Sequence, residues 1–177
     1  FSKIAMGIAP TSLVDDSFMG QKIKIVDHKT REILAEVDHV GKLGAYAWSP
    51  DSKKLALIAA ANINDPIDGR VKIIDATTGA ATIIQPDFKG KFEQISWKDN
   101  NILYYLVSKG VYSEFGTINS DGKKMKALFS DKNLNLKAFA ISENGTVAFD
   151  ANSPSHPDEL YLMKNKEKAP KRITDSN

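Results

Sequence analysis

The sequence predicts an all-β chain, part of a β-propeller with about four four-stranded antiparallel blades, the first of them incomplete. Three observations predict it. A strand–turn–strand unit, residues 45–58 around Trp48-Ser49-Pro50-Asp51, returns later in the chain. A second kind of turn recurs in step with it. No segment carries a persuasive helical stripe, whereas short strands with a turn every ~8–12 residues fill the length.

The unit itself is turn chemistry between two apolar runs. Pro50 fixes φ, and Ser49, Asp51 and Ser52 offer short side chains that bond local backbone. Residues 55–61 are apolar on both faces, as expected of a strand sandwiched between two layers. Ahead of the unit, residues 2–9 alternate with period two, 10–20 read as a loop, and 22–26 and 32–37 read as strands flanking a turn at Asp27. That set lacks its first strand. After the unit, 62–69 is a polar loop, and 71–74 and 81–84 are strands around a turn at Asp75. The third set runs 92–97, 102–107, 115–118 and 125–129. The fourth runs 136–141, 146–150, 160–163 and 171–174, with a loop at 152–158.

The period follows from the numbering. Trp48 and Trp97 are 49 residues apart, and Trp97 and Ile141 are 44 apart. The turns beginning at Asp27, Asp75, Asn119 and Lys164 are spaced by 48, 44 and 45 residues. A four-stranded propeller blade repeats at roughly 40–50 residues. The expected blades are residues 1–41, 42–90, 91–133 and 134–177. A β-sandwich accounts for the strand content but not for two turn types repeating in phase.

Composition narrows the function classes. The chain has 177 residues, 42% hydrophobic and 26% charged, enough for an ordinary core. Its net charge of +2 gives nucleic acid no support as a partner. Cysteine is absent, so disulfides and thiol chemistry are excluded and the redox compartment stays open. No apolar run reaches the roughly 18 residues of a membrane helix, and no membrane partner is expected. The start shows no signal peptide and no initiator Met, and reads as a piece cut from a longer chain or as a trimmed tag.

Catalytic chemistry is not assembled by these residues. The nucleophile elbow Gly-x-Ser-x-Gly is absent, and no catalytic residue is expected. His28 falls in a turn, His39 in a link between blades and His156 in a loop, and each reads as a surface histidine. Asn62, Asn64, Asp65 and Asp68 echo a calcium loop but lack the bidentate Glu, so they read as side chains that cap their own loop, with no metal and no cofactor expected. Lys164, Lys166, Lys168, Lys171 and Arg172 read as a solvated hairpin face. Trp48 and Trp97 end equivalent strands and read as packing residues. Asn144-Gly145-Thr146 matches a glycosylation sequon, but Asn-Gly is also what a hairpin turn requires.

The Trp48-Ser49-Pro50-Asp51 unit followed by Lys54-Leu55-Ala56 resembles the blade motif of WD-like propellers of the TolB type. Three further stretches resemble the propeller of prolyl oligopeptidase-family serine peptidases, among them acylaminoacyl-peptidase-like and dipeptidyl-peptidase-like members. They are residues 8–17, residues 62–66 with Gly69-Arg70, and Ser153-Pro154-Ser155-His156-Pro157-Asp158-Glu159-Leu160-Tyr161 with residues 172–177. The resemblance covers essentially the whole chain. It implies a ring of about seven or eight blades, of which this chain holds about half. It also implies a lid role, restricting entry to the active site of a C-terminal α/β-hydrolase domain. A periplasmic or secreted location is implied by the resemblance alone. A TolB-like propeller that only binds a partner protein is the alternative from a different class.

In a propeller, the loops between second and third strands gather on one rim. Asp15 and Asp16, residues 62–68, 110–114 and 156–159 all fall there. The expected peptide-binding residues are therefore Asp15, Asp16, Asn62, Asp65, Asp68, His156 and Glu159. The acidic members would make the rim negative, facing the hydrolase domain or the free amino group of a peptide, unless these loops are merely long and solvated. Half a ring would also leave apolar faces on its first and last blades, so the chain is expected to associate with itself.

Overall fold

The computed structural model describes residues 2–64 and 69–176. Four antiparallel sheets form in sequence order. The first holds three strands, β1 (Lys3–Ile8), β2 (Lys22–Asp27) and β3 (Ile33–Val37). The second holds β4 (Leu43–Trp48), β5 (Lys54–Ala60), β6 (Gly69–Asp75) and β7 (Ala81–Ile84). The third holds β8 (Lys91–Trp97), β9 (Ile102–Lys109), β10 (Tyr112–Asn119) and β11 (Lys126–Asp131), and the fourth β12 (Asn135–Ile141), β13 (Val147–Ser153), β14 (His156–Met163) and β15 (Lys171–Arg172). Each is a simple meander, and the sheets stack face to face as a partial β-propeller whose first blade has three strands.

The apolar pattern shows why they stack. In β5, Leu55, Leu57 and Ala59 point to the first sheet and join Ile23, Ile25, Val37 and Ile74 in one buried cluster. Ala56 and Ile58, on the opposite face, join Phe92, Leu103, Tyr105 and Ile118 of the third sheet. A strand buried on both faces must be apolar throughout, and residues 55–60 are. A third cluster, with Leu106, Phe115, Phe139 and Phe149, joins the last two sheets. Trp48 and Trp97 pack against these clusters, and Trp97 Nε1 donates to Ala47 O across sheets at 2.8 Å.

The repeat extends to hydrogen bonds. Ser49 Oγ donates to Asp51 Oδ1 at 2.7 Å, and Ser142 Oγ donates to Asn144 Oδ1 at the same distance. Asp27 Oδ1 accepts from the amides of Lys29 and Thr30, and Asp75 Oδ1 from those of Thr77 and Thr78, at 2.8 and 2.9 Å in both turns. These amides hold both carboxyls below the usual carboxylate range. A bulge recurs between first and second strands at Leu43/Tyr46, Phe92/Gln94 and Leu136/Ala138. Gly145, with φ +82°, occupies the left-handed position of the Asn-Gly turn.

Several expectations need correction. The loop at 10–20 contains a short helix, α1 (Val14–Met19). A six-residue helix is too short to register as a stripe. The loop expected at 152–158 shrinks to a turn at 154–155, because β13 and β14 run on through polar residues. The loop at 110–114 likewise shrinks to Gly110 and Val111, Gly110 taking φ +62°. Polar strand ends at a propeller rim are wet, so they carry no apolar alternation to be read.

Candidate functional site

The rim with the β1–β2, β5–β6, β9–β10 and β13–β14 connections also carries the links between sheets. Close approaches tie it together. Arg70 Nη1 donates to Gly90 O at 2.8 Å, and the amide of Leu136 donates to Ser113 Oγ at 2.7 Å. The remaining turns, including Ser49–Ser52 and Asp75–Gly79, lie at the opposite end.

Asp15 and Asp16 sit in the first turn of α1, raised on the β1–β2 connection. Asp15 is exposed, and Asp16 Oδ2 accepts a hydrogen bond from Thr11 Oγ1. Around them Leu13, Val14 and Phe18 are exposed apolar side chains. Asn62 is exposed, with Oδ1 accepting from the amide of Asn64 at 2.8 Å, a self-capping loop. Asp65 and Asp68 lie outside the described residues.

His156 and Glu159 are strand residues, and their loop assignment is corrected. His156 pairs with Ser153 at the start of β14, and Arg172 Nη1 lies 2.7 Å from its Nδ1. Glu159 is 3% exposed and faces inward opposite Ala151. Its carboxylate accepts from Thr174 Oγ1, from the Ser176 amide at 2.5 Å and from Ser176 Oγ at 3.2 Å. The Thr174 hydroxyl foremost, then the Ser176 amide, holds its pKa below the usual range. Glu159 clasps the C-terminal segment through these bonds.

Two buried polar residues escaped the sequence, His39 in the link between the first two sheets and Lys72 in the middle of β6. His39 is not a surface histidine. It is 1% exposed, and neither ring nitrogen has a hydrogen-bond partner among the described residues. Lys72, 8% exposed, shares its sheet interface, and Lys22 Nζ donates to the His39 carbonyl. Burial foremost, then the charges of Lys22 and Lys72, pushes the His39 pKa down. The imidazole is therefore neutral at neutral pH. In the unfolded chain it titrates near ~6.5, so below about that pH the unfolded state binds the extra proton. Stability is expected to be flat above that pH and to fall as pH drops through it. His39→Phe should flatten this slope in urea unfolding between pH 7.5 and 5, and an unchanged slope refutes the assignment.

Among the described residues, none of the three histidines holds a hydroxyl or carboxylate in hydrogen-bonding distance, and no group of three His, Asp or Glu side chains is placed to hold a metal. No described helix is long and apolar enough to cross a membrane.

No protein-family profile matches the sequence, and no curated protein matches it. Solved structures do. The propeller domain of the trilobed protease from Pyrococcus furiosus, described as having an open velcro topology, aligns over 99% of this chain and 50% of its own, with TM-score 0.67 and 15% identity. TolB from Acinetobacter baumannii aligns over 99% and 42%, with TM-score 0.64 and 15% identity. An acylaminoacyl peptidase from Pyrococcus horikoshii aligns over 98% and 26%, with TM-score 0.67 and 16% identity. The chain thus spans half or less of each of these solved chains. What it shares with them is architecture, and by that architecture it is a β-propeller portion of the kind found in TolB and in prolyl oligopeptidase-type peptidases.

Proposed function

We propose that the chain is the non-catalytic propeller segment of a prolyl oligopeptidase-family serine peptidase, gating and positioning peptides for a separate α/β-hydrolase domain. One observation carries the reading. Nearly the whole chain aligns with about a quarter of an acylaminoacyl peptidase and with half of a protease propeller domain. The test is to read the coding sequence beyond Asn177. A segment of roughly 250 residues with a nucleophile elbow supports the peptidase. A stop codon soon after Asn177 supports instead a TolB-like binding module, which the alignment with TolB favours.

Within this reading the rim meets the peptide through α1. The exposed Asp15 carboxylate, next to Asp16, would attract a free amino group. In the whole peptidase, Asp15→Asn with Asp16→Asn is expected to lower kcat/KM by about two- to five-fold for peptides with a free amine, and not for acylated ones. Equal kinetics for both classes removes the idea.

The end blades have open faces. Ile4, Met6, Ile8 and Leu34 of the first sheet are 38–45% exposed, and on the fourth Leu160 is 40% exposed, with Ala138 and Ala140 exposed two strands away across Asp150 and Ala148. Large side chains on one end and small ones on the other suit head-to-tail contact between copies, or cover by further blades. The 177-residue chain alone is expected to self-associate. A monomer by light scattering at millimolar concentration counts against this.

A further inference from the structure

Between the third and fourth sheets, at the rim with the β9–β10 and β13–β14 turns, lies an open cleft of about 460 Å³. Its walls are fixed by internal bonds. The buried Ser113 hydroxyl accepts from the Leu136 amide at 2.7 Å and donates to Leu134 O at 3.4 Å, holding the link between sheets. Asp131 Oδ1 accepts from the Asn133 amide at 2.6 Å. Asn152 Nδ2 donates to Asp158 Oδ1 at 2.7 Å, and Lys137 pairs with the same carboxylate at 2.5 Å.

Groups with spare capacity line these walls. The Lys132 ammonium lies 5.9 Å from the centre of the Tyr112 ring and is in no ion pair among the described residues. The Asn133 carboxamide has no partner among them. Asn135 Nδ2 reaches Asn152 Oδ1 at 3.4 Å, a long bond that leaves the Asn135 carbonyl oxygen open. Val111 is 83% exposed and Tyr112 42% exposed. No Asp or Glu is among the described lining residues.

Each part of this lining matches one part of a peptide. A carboxamide carries a donor and an acceptor, the same pair a peptide unit offers, so neighbouring asparagines can bond an extended backbone. An apolar flank suits a side chain, and a cation in no ion pair among the described residues suits a carboxylate, since the nearby Asp131 and Asp158 carboxylates are engaged by the Asn133 amide and by Asn152 and Lys137. We propose that this cleft binds an extended peptide segment, its carboxylate on Lys132, its backbone on Asn133 and Asn135, and an apolar side chain against Val111 and Tyr112. The site rests on the peptide-gating reading and deepens it, supplying a second contact opposite in sign to Asp15 and Asp16.

The test uses the ¹⁵N-labelled 177-residue chain and three blocked probes: acetyl-Ala-Ala-Phe as free acid, the same peptide as its amide, and acetyl-Ala-Asp-Phe amide. The free acid is expected to move the amide signals of Val111, Tyr112, Asn133 and Asn135. Amidation, or Lys132→Ala, is expected to weaken binding about five-fold, while Lys164→Ala at the opposite end leaves it unchanged. If the Asp-containing amide binds as tightly as the free acid, a side-chain carboxylate serves as well as a terminal one; if only the free acid binds, the carboxylate comes from the chain end. Both support the site. Cleft binding that ignores the carboxylate or Lys132 overturns it. Shifts confined to the surroundings of Asp15 and Asn62 overturn the cleft and leave gating standing. No shift anywhere also overturns the cleft, and gating is then decided by the Asp15 and Asp16 kinetics.

Discussion

Phe115→Ala is expected to cost about 3–5 kcal/mol of stability and to lower Tm by roughly 10 °C or more. Phe115 is fully buried where the third and fourth sheets meet. Its ring stacks on Tyr104 at 5.7 Å and meets Phe139 and Phe149 edge-on at 5.1 Å each. Removing the ring opens a cavity that three rigid rings from three strands cannot collapse into. Because each sheet packs mainly on its neighbours, the loss should uncouple the fourth sheet first and broaden the transition. Leu128→Ala, at a 39% exposed position, is the control and should change stability by no more than about 0.5 kcal/mol. A Phe115→Ala loss below about 1 kcal/mol in urea and thermal unfolding would mean that the two sheets do not share this core.

Gln94→Ala is expected to cost about 2–4 kcal/mol, more than an ordinary half-buried polar residue. Gln94 Nε2 donates to Phe139 O at 2.7 Å, and its Oε1 accepts from Phe139 N at 2.8 Å. One side chain thus replaces a strand partner for the backbone of β12. Its loss leaves a donor and an acceptor of the Phe139 backbone without this partner at a part-buried sheet interface. Gln94→Glu keeps the acceptor but sets a carboxylate against Phe139 O, and should recover little. A double-mutant cycle with Phe115→Ala should show coupling of at least about 0.5 kcal/mol, since both act at Phe139. Strict additivity in denaturant midpoints contradicts that shared role.

Much of the fold could be read from local chemistry. Ser49-Pro50-Asp51 and Asp75 specify their turns with bonds reaching only two to five residues along the chain. The doubly apolar run at 55–60 announces a strand between two layers. The candidate site was less legible. Asp15, Asp16 and Asn62 do lie at the rim connections, but on a short helix and a self-capped loop. Glu159 looked like a rim carboxylate because its partners, Thr174 and Ser176, lie across a strand pair.

The amino-acid order by itself determined the strands, their turns and their repetition, because period-two alternation and Asx-type turns are settled within a few neighbouring residues. The tertiary structure alone decided which polar groups are hidden or free. His39 and Lys72 are buried, and Lys132 is left without an ion pair among the described residues, in a cleft lined by three asparagines, by the way one sheet lies on the next. Burial of that kind depends on contacts dozens of residues apart, and no local pattern encodes it.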